Sequence, residues 1–175
     1  FNWMAGNANA PHPLYRSTAA NHEDFLTRAY TQRVFPGEGE RIVGLLSYKG
    51  VLVVWKYPIG VYVLDTSDNS DANWRVIKVG SPGAAGRRNM VGLEDDLVWV
   101  APDATWHLLS ATTATGSVRA EDIAARKLGS YHKEQISTSR LQFAQLVYYA
   151  HKLVVELACS AAGATAKSCW AWSPA

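Results

Sequence analysis

At 175 residues, 48% hydrophobic and 18% charged, with seven tryptophans and eight tyrosines, the chain is long enough to bury one core but not plainly two. Its formal net charge is +2 and no basic block exceeds the pair Arg87-Arg88, so the footprint of a phosphate-tracking surface is missing and nucleic-acid binding is not expected. The longest apolar run falls far short of the ~20 residues that a membrane helix needs, and no lipid-anchor motif occurs, so no membrane partner is expected either.

Residues 1–41, rich in Asn, Pro and Ala, read as a loop-rich lead-in. They hold one short helical candidate, "NHEDFLTRAY", where Asn21 would cap a turn and Glu23 and Asp24 would sit at its positive end. From Ile42 onward β signals dominate: "IVGLLS", "VLVVWKY", "VYVLD" and, after the polar loop "TSDNSDAN", "WRVIKV" predict a four-stranded meander. The second run does not alternate apolar with polar, so Leu52 and Val54 on one face and Val53 and Trp55 on the other are all expected to be buried.

After the break "GSPGAAG" the pattern restarts as "RNMVGL", "LVWVA" and "TWHLLSA", and again as "LQFAQLVYY", "LVVELA" and "SCWAWS". Gly50, Asp96 and Lys152 then fall at equivalent turns, and a segment of helical composition, 118–134, stretches the second spacing. Repeated four-stranded meanders with a doubly buried second strand predict an all-β chain, a β-propeller segment of about three antiparallel blades (42–80, 88–117 and 140–175) with a short helical insertion. The partial propeller would span 42–175, with the lead-in 1–41 set before it or forming part of a preceding blade. The chain opens on Phe1 without a leader and closes on "CWAWSPA", which reads as a piece of a longer polypeptide that supplies the remaining blades.

The phrases "PLYRSTAANHEDF" (Tyr15, Ser17, Asp24, Phe25), "IVGLLSYKGVLVVWKYPIGVYVLD" (Lys49, Gly50, Trp55, Lys56, Tyr62) and "WRVIKVGSPGAAGRRNMVGLEDDLVWVAPDATWHLL" resemble the β-propeller proteins of tailed-bacteriophage virions, the tail nozzle, hub and connector group. The resemblance covers most of the chain and departs at Pro102-Asp103-Ala104, where the family pattern carries Gly in place of Ala104. It implies a structural virion protein that forms a ring with other copies of itself, adjoins neighbouring tail or connector proteins, and lets DNA pass without binding it specifically. The lead-in and the insertion would be its docking appendages.

No constellation argues for chemistry. Asp65, Asp68 and Asp71 lack the alternate-position ligands of a calcium loop and read as a solvated turn. Gly80, Gly83 and Gly86 follow a strand, as a phosphate loop does, but no Lys-Ser/Thr follows them, so they read as a crossover between blades. Glu94, Asp95 and Asp96 are adjacent in a turn rather than spaced as a glycosidase acid and base. His12, His22, His107, His132 and His151 show no zinc-binding spacing and read as lone surface or turn residues. Trp55, Trp74, Trp99, Trp106, Trp170 and Trp172 have the aromatic faces of a sugar-stacking ladder, yet their strand positions favour packing between blades. Cys159 and Cys169 read as two reduced structural thiols, although they flank a hairpin loop that a bridge would span. The expectation is therefore no catalytic residue, no metal and no cofactor. A carbohydrate-binding or glycan-processing propeller is the rival reading, and a cellular protein-binding propeller would carry WD or kelch signatures that are absent.

Overall fold

The computed structural model describes residues 2–18, 21–25, 30–68, 70–111, 118–122, 138–149, 152–157 and 168–172. The chain is all-β, as expected: the described residues form four antiparallel sheets, each a simple meander. Sheet I holds β1 (Trp3–Asn7), β2 (Ala10–Arg16) and β3 (Tyr30–Arg33). Sheet II holds β4 (Arg41–Tyr48), β5 (Val51–Tyr57), β6 (Ile59–Asp65) and β7 (Arg75–Pro82). Sheet III holds β8 (Met90–Gly92), β9 (Leu97–Val100), β10 (Trp106–Ala111) and β11 (Val118–Asp122). Sheet IV holds β12 (Gln145–Tyr149), β13 (Lys152–Leu157) and β14 (Ser168–Trp172).

Among the described residues three apolar cores alternate with these sheets. Between I and II, Leu52 and Val54 of β5 and Tyr62 and Leu64 of β6 meet Leu14 and Val34. On the opposite face of sheet II, Val53 and Trp55 meet Leu97, Trp99 and Leu109 of sheet III. Beyond sheet III, Val98 and Val100 meet Leu141, Ala144 and Leu146. Strands β5 and β9 are thus walls shared by two cores, and Leu52, Val53, Val54 and Trp55 are all buried, as the unbroken apolar run predicts. At ~1.5–3 kcal/mol per fully buried large apolar side chain, such walls hold the stack together.

The first strands of sheets II, III and IV lie side by side and run the same way. A Cβ on Gly44 would collide with the Met90 side chain, and one on Gly92 would touch Leu46. The Leu146 N–H donates to the Arg88 carbonyl at 2.8 Å, and further along both segments Tyr148 bonds Glu94, so β12 runs with β8. Gly50 and Asp96 do lie in equivalent turns, each linking the first strand of a sheet to its second, whereas Lys152 is already the first residue of β13, paired with Tyr149, and residues 150–151 lie outside the described residues. At the first of these, Lys49 and Gly50 both have positive φ (44° and 84°), the geometry of a two-residue hairpin turn that matches strand twist.

Several expectations need correction. Residues 1–41 are not chiefly loop: three strands pair there, and the two prolines that disguised β2 fall where its register against β1 shifts, between Ala5 and Asn7. A bulge tolerates residues that cannot donate to a ladder. Asn21 does cap a turn, its side-chain oxygen accepting the Glu23 N–H at 3.0 Å, but Tyr30 is already strand, and 26–29 lie outside the described residues. Within the expected helical insertion 118–134, residues 118–122 pair with β10, so sheet III extends to Asp122 rather than 117. Pairing with a strand edge overrides helical composition; the rest of the insertion lies outside the described residues. The run "LQFAQLVYY" begins as a 3-10 helix, Thr138–Phe143, and becomes strand only at Gln145. Sheet IV has three strands rather than four among the described residues.

Candidate functional site

The most organised polar cluster is the seam between sheets I and II. Lys56, on doubly covered β5, is completely buried, and its ammonium donates to the carbonyls of Val34 and Phe35 at 3.1 and 2.9 Å. Burial pushes its pKa down, partly opposed by Glu38. Tyr62 donates its hydroxyl to Glu38 at 3.0 Å, and Lys78 also bonds Glu38, so the loop after β3 is held by three side chains of sheet II. Burial and the bond to Glu38 raise the Tyr62 pKa. His12 lies half-buried on β2, its pKa lowered by burial and by the charges of Lys56 and Arg33. Among the described residues both acceptors of Lys56 are main-chain carbonyls, so the ammonium acts as a pin for the chain between β3 and β4.

The loop with Asp65, Asp68 and Asp71 faces solvent, but its carboxylates are engaged. Asp65 accepts the Ser67 N–H, and Asp68 accepts the Ser70 N–H and the Asn73 amide. Asp71 pairs with Arg16 of sheet I at 3.0 Å. These bonds serve loop closure, and no group of three or more metal-binding side chains occurs among the described residues. Gly83 and Gly86 form the crossover between sheets II and III and are required by close backbone approach: a Cβ would strike the Lys56 carbonyl at Gly83 and the Gln142 carbonyl at Gly86. Gly80 lies within β7. Asp96 caps its own turn by accepting the Leu97 N–H, and the Asp95 carbonyl accepts the Tyr48 hydroxyl at 2.6 Å.

Trp55, Trp99 and Trp106 are core residues, the first two packed edge to face at 6.0 Å, so they offer no stacking surface. Trp74 is half-buried beneath the Arg16 guanidinium and beside Trp3. The side chains of Trp170, Trp172 and Cys169, and residues His132, His151 and Cys159, lie outside the described residues. His107 is not a surface histidine: it is buried, stacks on Trp99 at 5.3 Å, and its Nε2 lies 2.7 Å from the Thr105 hydroxyl. Alternation on β10 turns it inward, a placement that a lone histidine in sequence does not reveal.

A concavity runs along β1 and β4. A groove of about 390 Å³ is bounded by residues 3–6 of β1 on one side and residues 41–45 of β4 on the other, with Arg41 and Arg87 at its wall. Sequence reasoning missed it because its lining joins residues 3–6, 41–45 and Arg87, which lie far apart in the chain. Gly6 was the available signal: at φ +78° it lets β1 approach the Ile42 carbonyl, where a Cβ would come within 2.9 Å. Among the described residues no helix is long and apolar enough to cross a membrane. No family model matches the chain, and no curated protein matches it.

Proposed function

We propose that the chain is a segment of a β-propeller whose role is architectural, a ring-forming nozzle, hub or connector component of a tailed-phage virion. The observation that carries this reading is the parallel array of β4, β8 and β12, each opening a meander, with a core filling the space between successive sheets. Radial repetition of such meanders about an axis produces that relation. The phage assignment is supported by the resemblance of Leu45–Asp65 and its flanks to that family, and by polar groups that are spent on holding loops and seams. The rings would be built from copies related by a closed symmetry, neighbouring tail or connector proteins would adjoin them, and DNA would pass along the axis unread. The carbohydrate reading loses its main support, since three of its tryptophans are core.

Two measurements test this. The chain within its complete reading frame should form rings in negative-stain electron microscopy and scatter light as an oligomer, and a monodisperse monomer would refute the assembly. Genes for portal or capsid proteins should neighbour it, and a neighbourhood of carbohydrate metabolism would overturn the virion assignment.

A further inference from the structure

Strand direction separates sheet I from the others. Gly6 of β1 sits against Ile42, near the start of β4, whereas Trp3 packs on Trp74 and Arg16 bonds Asp71, at the end of sheet II where β4 finishes. Strand β1 therefore runs opposite to β4, while β8 runs with β4 and β12 with β8. By direction, β1, β2 and β3 correspond to the second, third and fourth strands of sheet II. The place of a first strand, beside β1 and alongside β4, is the groove.

We infer that this groove is an acceptor site for an extended polypeptide strand, which would complete sheet I by running antiparallel to β1 and parallel to β4. The backbone supports such pairing. The Ser17 N–H donates to the Asn2 carbonyl at 3.0 Å just ahead of β1, and residues 3–5 of β1 keep constant register with β2, so by alternation Asn2 and Met4 face β2. Ala5 then turns its N–H and C=O to the opposite edge, where no backbone partner meets it among the described residues. A strand edge with open donors and acceptors is a template for another strand.

The repeats state what kind of strand fits. The first strand of sheet II carries Ile42-Val43-Gly44-Leu45, and that of sheet III is Met90-Val91-Gly92 followed directly by Leu93; in both the glycine lets neighbouring first strands come close. A strand parallel to β4 would begin at the end where Arg41 and Arg87 stand, so an acidic residue ahead of the apolar-Val-Gly-Leu run complements the groove, as Glu40 stands before β4 itself. The occupant is thus a short acidic-led, Val-Gly-Leu type segment of polypeptide.

The probe is a blocked peptide with the sequence of residues 40–46, Glu-Arg-Ile-Val-Gly-Leu-Leu, added to the purified chain while amide exchange is followed. Exchange at Ala5 should slow at least ~10-fold at saturation, because a new ladder bond shields that amide. Ala5→Pro, which removes the outward N–H but no bond to β2, should abolish peptide binding without changing the near-ultraviolet circular dichroism. Two peptides N-methylated on alternate residues supply a control that leaves the protein unaltered: one set should bind and the other should not. Equal binding of both sets, unslowed exchange at Ala5, or protection that rises with protein concentration without peptide would each overturn the inference, the last by assigning the edge to a second copy. The occupant's pattern rests on the blade reading above, but the tests separate: rings without Ala5 protection defeat this inference alone, and protection without rings defeats the assembly alone.

Discussion

Strands β5 and β1 are both short and both belong to meanders, yet they live in different surroundings. In β5 five successive residues, Leu52–Lys56, are buried, because sheet I covers one face and sheet III the other. In β1 no residue is fully buried, Met4 is 48% exposed, and one edge opens on a groove. Strand character therefore does not by itself decide how much a residue matters; the number of covered faces does. A substitution at a wall shared by two cores disturbs both, whereas one on β1 disturbs at most a single seam.

The sharpest way to break this comparison is a matched pair of charges. Val53→Asp should destabilise the chain by ~4 kcal/mol, since the carboxylate would be buried between two sheets without a partner, whereas Met4→Asp should stay within ~0.5 kcal/mol. Similar losses in urea unfolding would show that sheet I is as deeply covered as sheet II.

Lys56 tests the seam between the two regions. Lys56→Ala should cost about 3 kcal/mol, because two carbonyls of the loop after β3 lose a charged donor and a buried side chain is lost. Lys56→Met, which keeps most of the packing, should cost about half as much. If amide exchange in β1–β3 were unchanged in either variant, the ammonium would not be what fastens sheet I.

A smaller effect is expected at the outer fastening. Asp71→Ala removes the exposed pair with Arg16 and should lower stability by ~0.5 kcal/mol, with the difference shrinking as salt is added. A calcium-dependent loss far above that size would mean that the loop holds a metal.

The same seam should respond to acid. The His12 pKa is lowered in the folded state, so the folded chain binds fewer protons than the unfolded one once the pH falls below His12's ordinary value near 6.5. Stability should accordingly fall as the pH drops through that range and recover above it. His12→Gln should flatten this limb of the melting curve, and an unchanged limb would assign it to other groups.

The smallest change is expected at Ala104, which sits in the turn after β9 with φ +66° and is completely buried. Ala104→Gly relieves a left-handed backbone worth roughly 1 kcal/mol, but loses a buried methyl of about 0.8 kcal/mol and adds freedom to the unfolded chain. The melting temperature should barely move. A large rise would show that the strain outweighs the packing.

The sequence by itself determined the all-β class, the four strands of sheet II, a crossover at Gly83 and Gly86, though not that Gly80 stays within β7, and the two-sided burial of Leu52–Trp55. Each of these depends on local chemistry: β-branched and aromatic runs, Gly/Pro breaks and the absence of alternation. Sheet I was illegible because Pro11, Pro13 and Gly6 carry loop propensities that only a bulge against a paired strand reconciles. Strand β11 was illegible for the converse reason, since Val118–Asp122 has helical composition and takes its form from the edge of β10. The burial of His107 and Lys56, the tie from Asp71 to Arg16 and the groove beside β4 were decided only by tertiary structure. They depend on which sheet lies against which face and in which direction its strands run, and these are relations between residues tens of positions apart that no local pattern encodes.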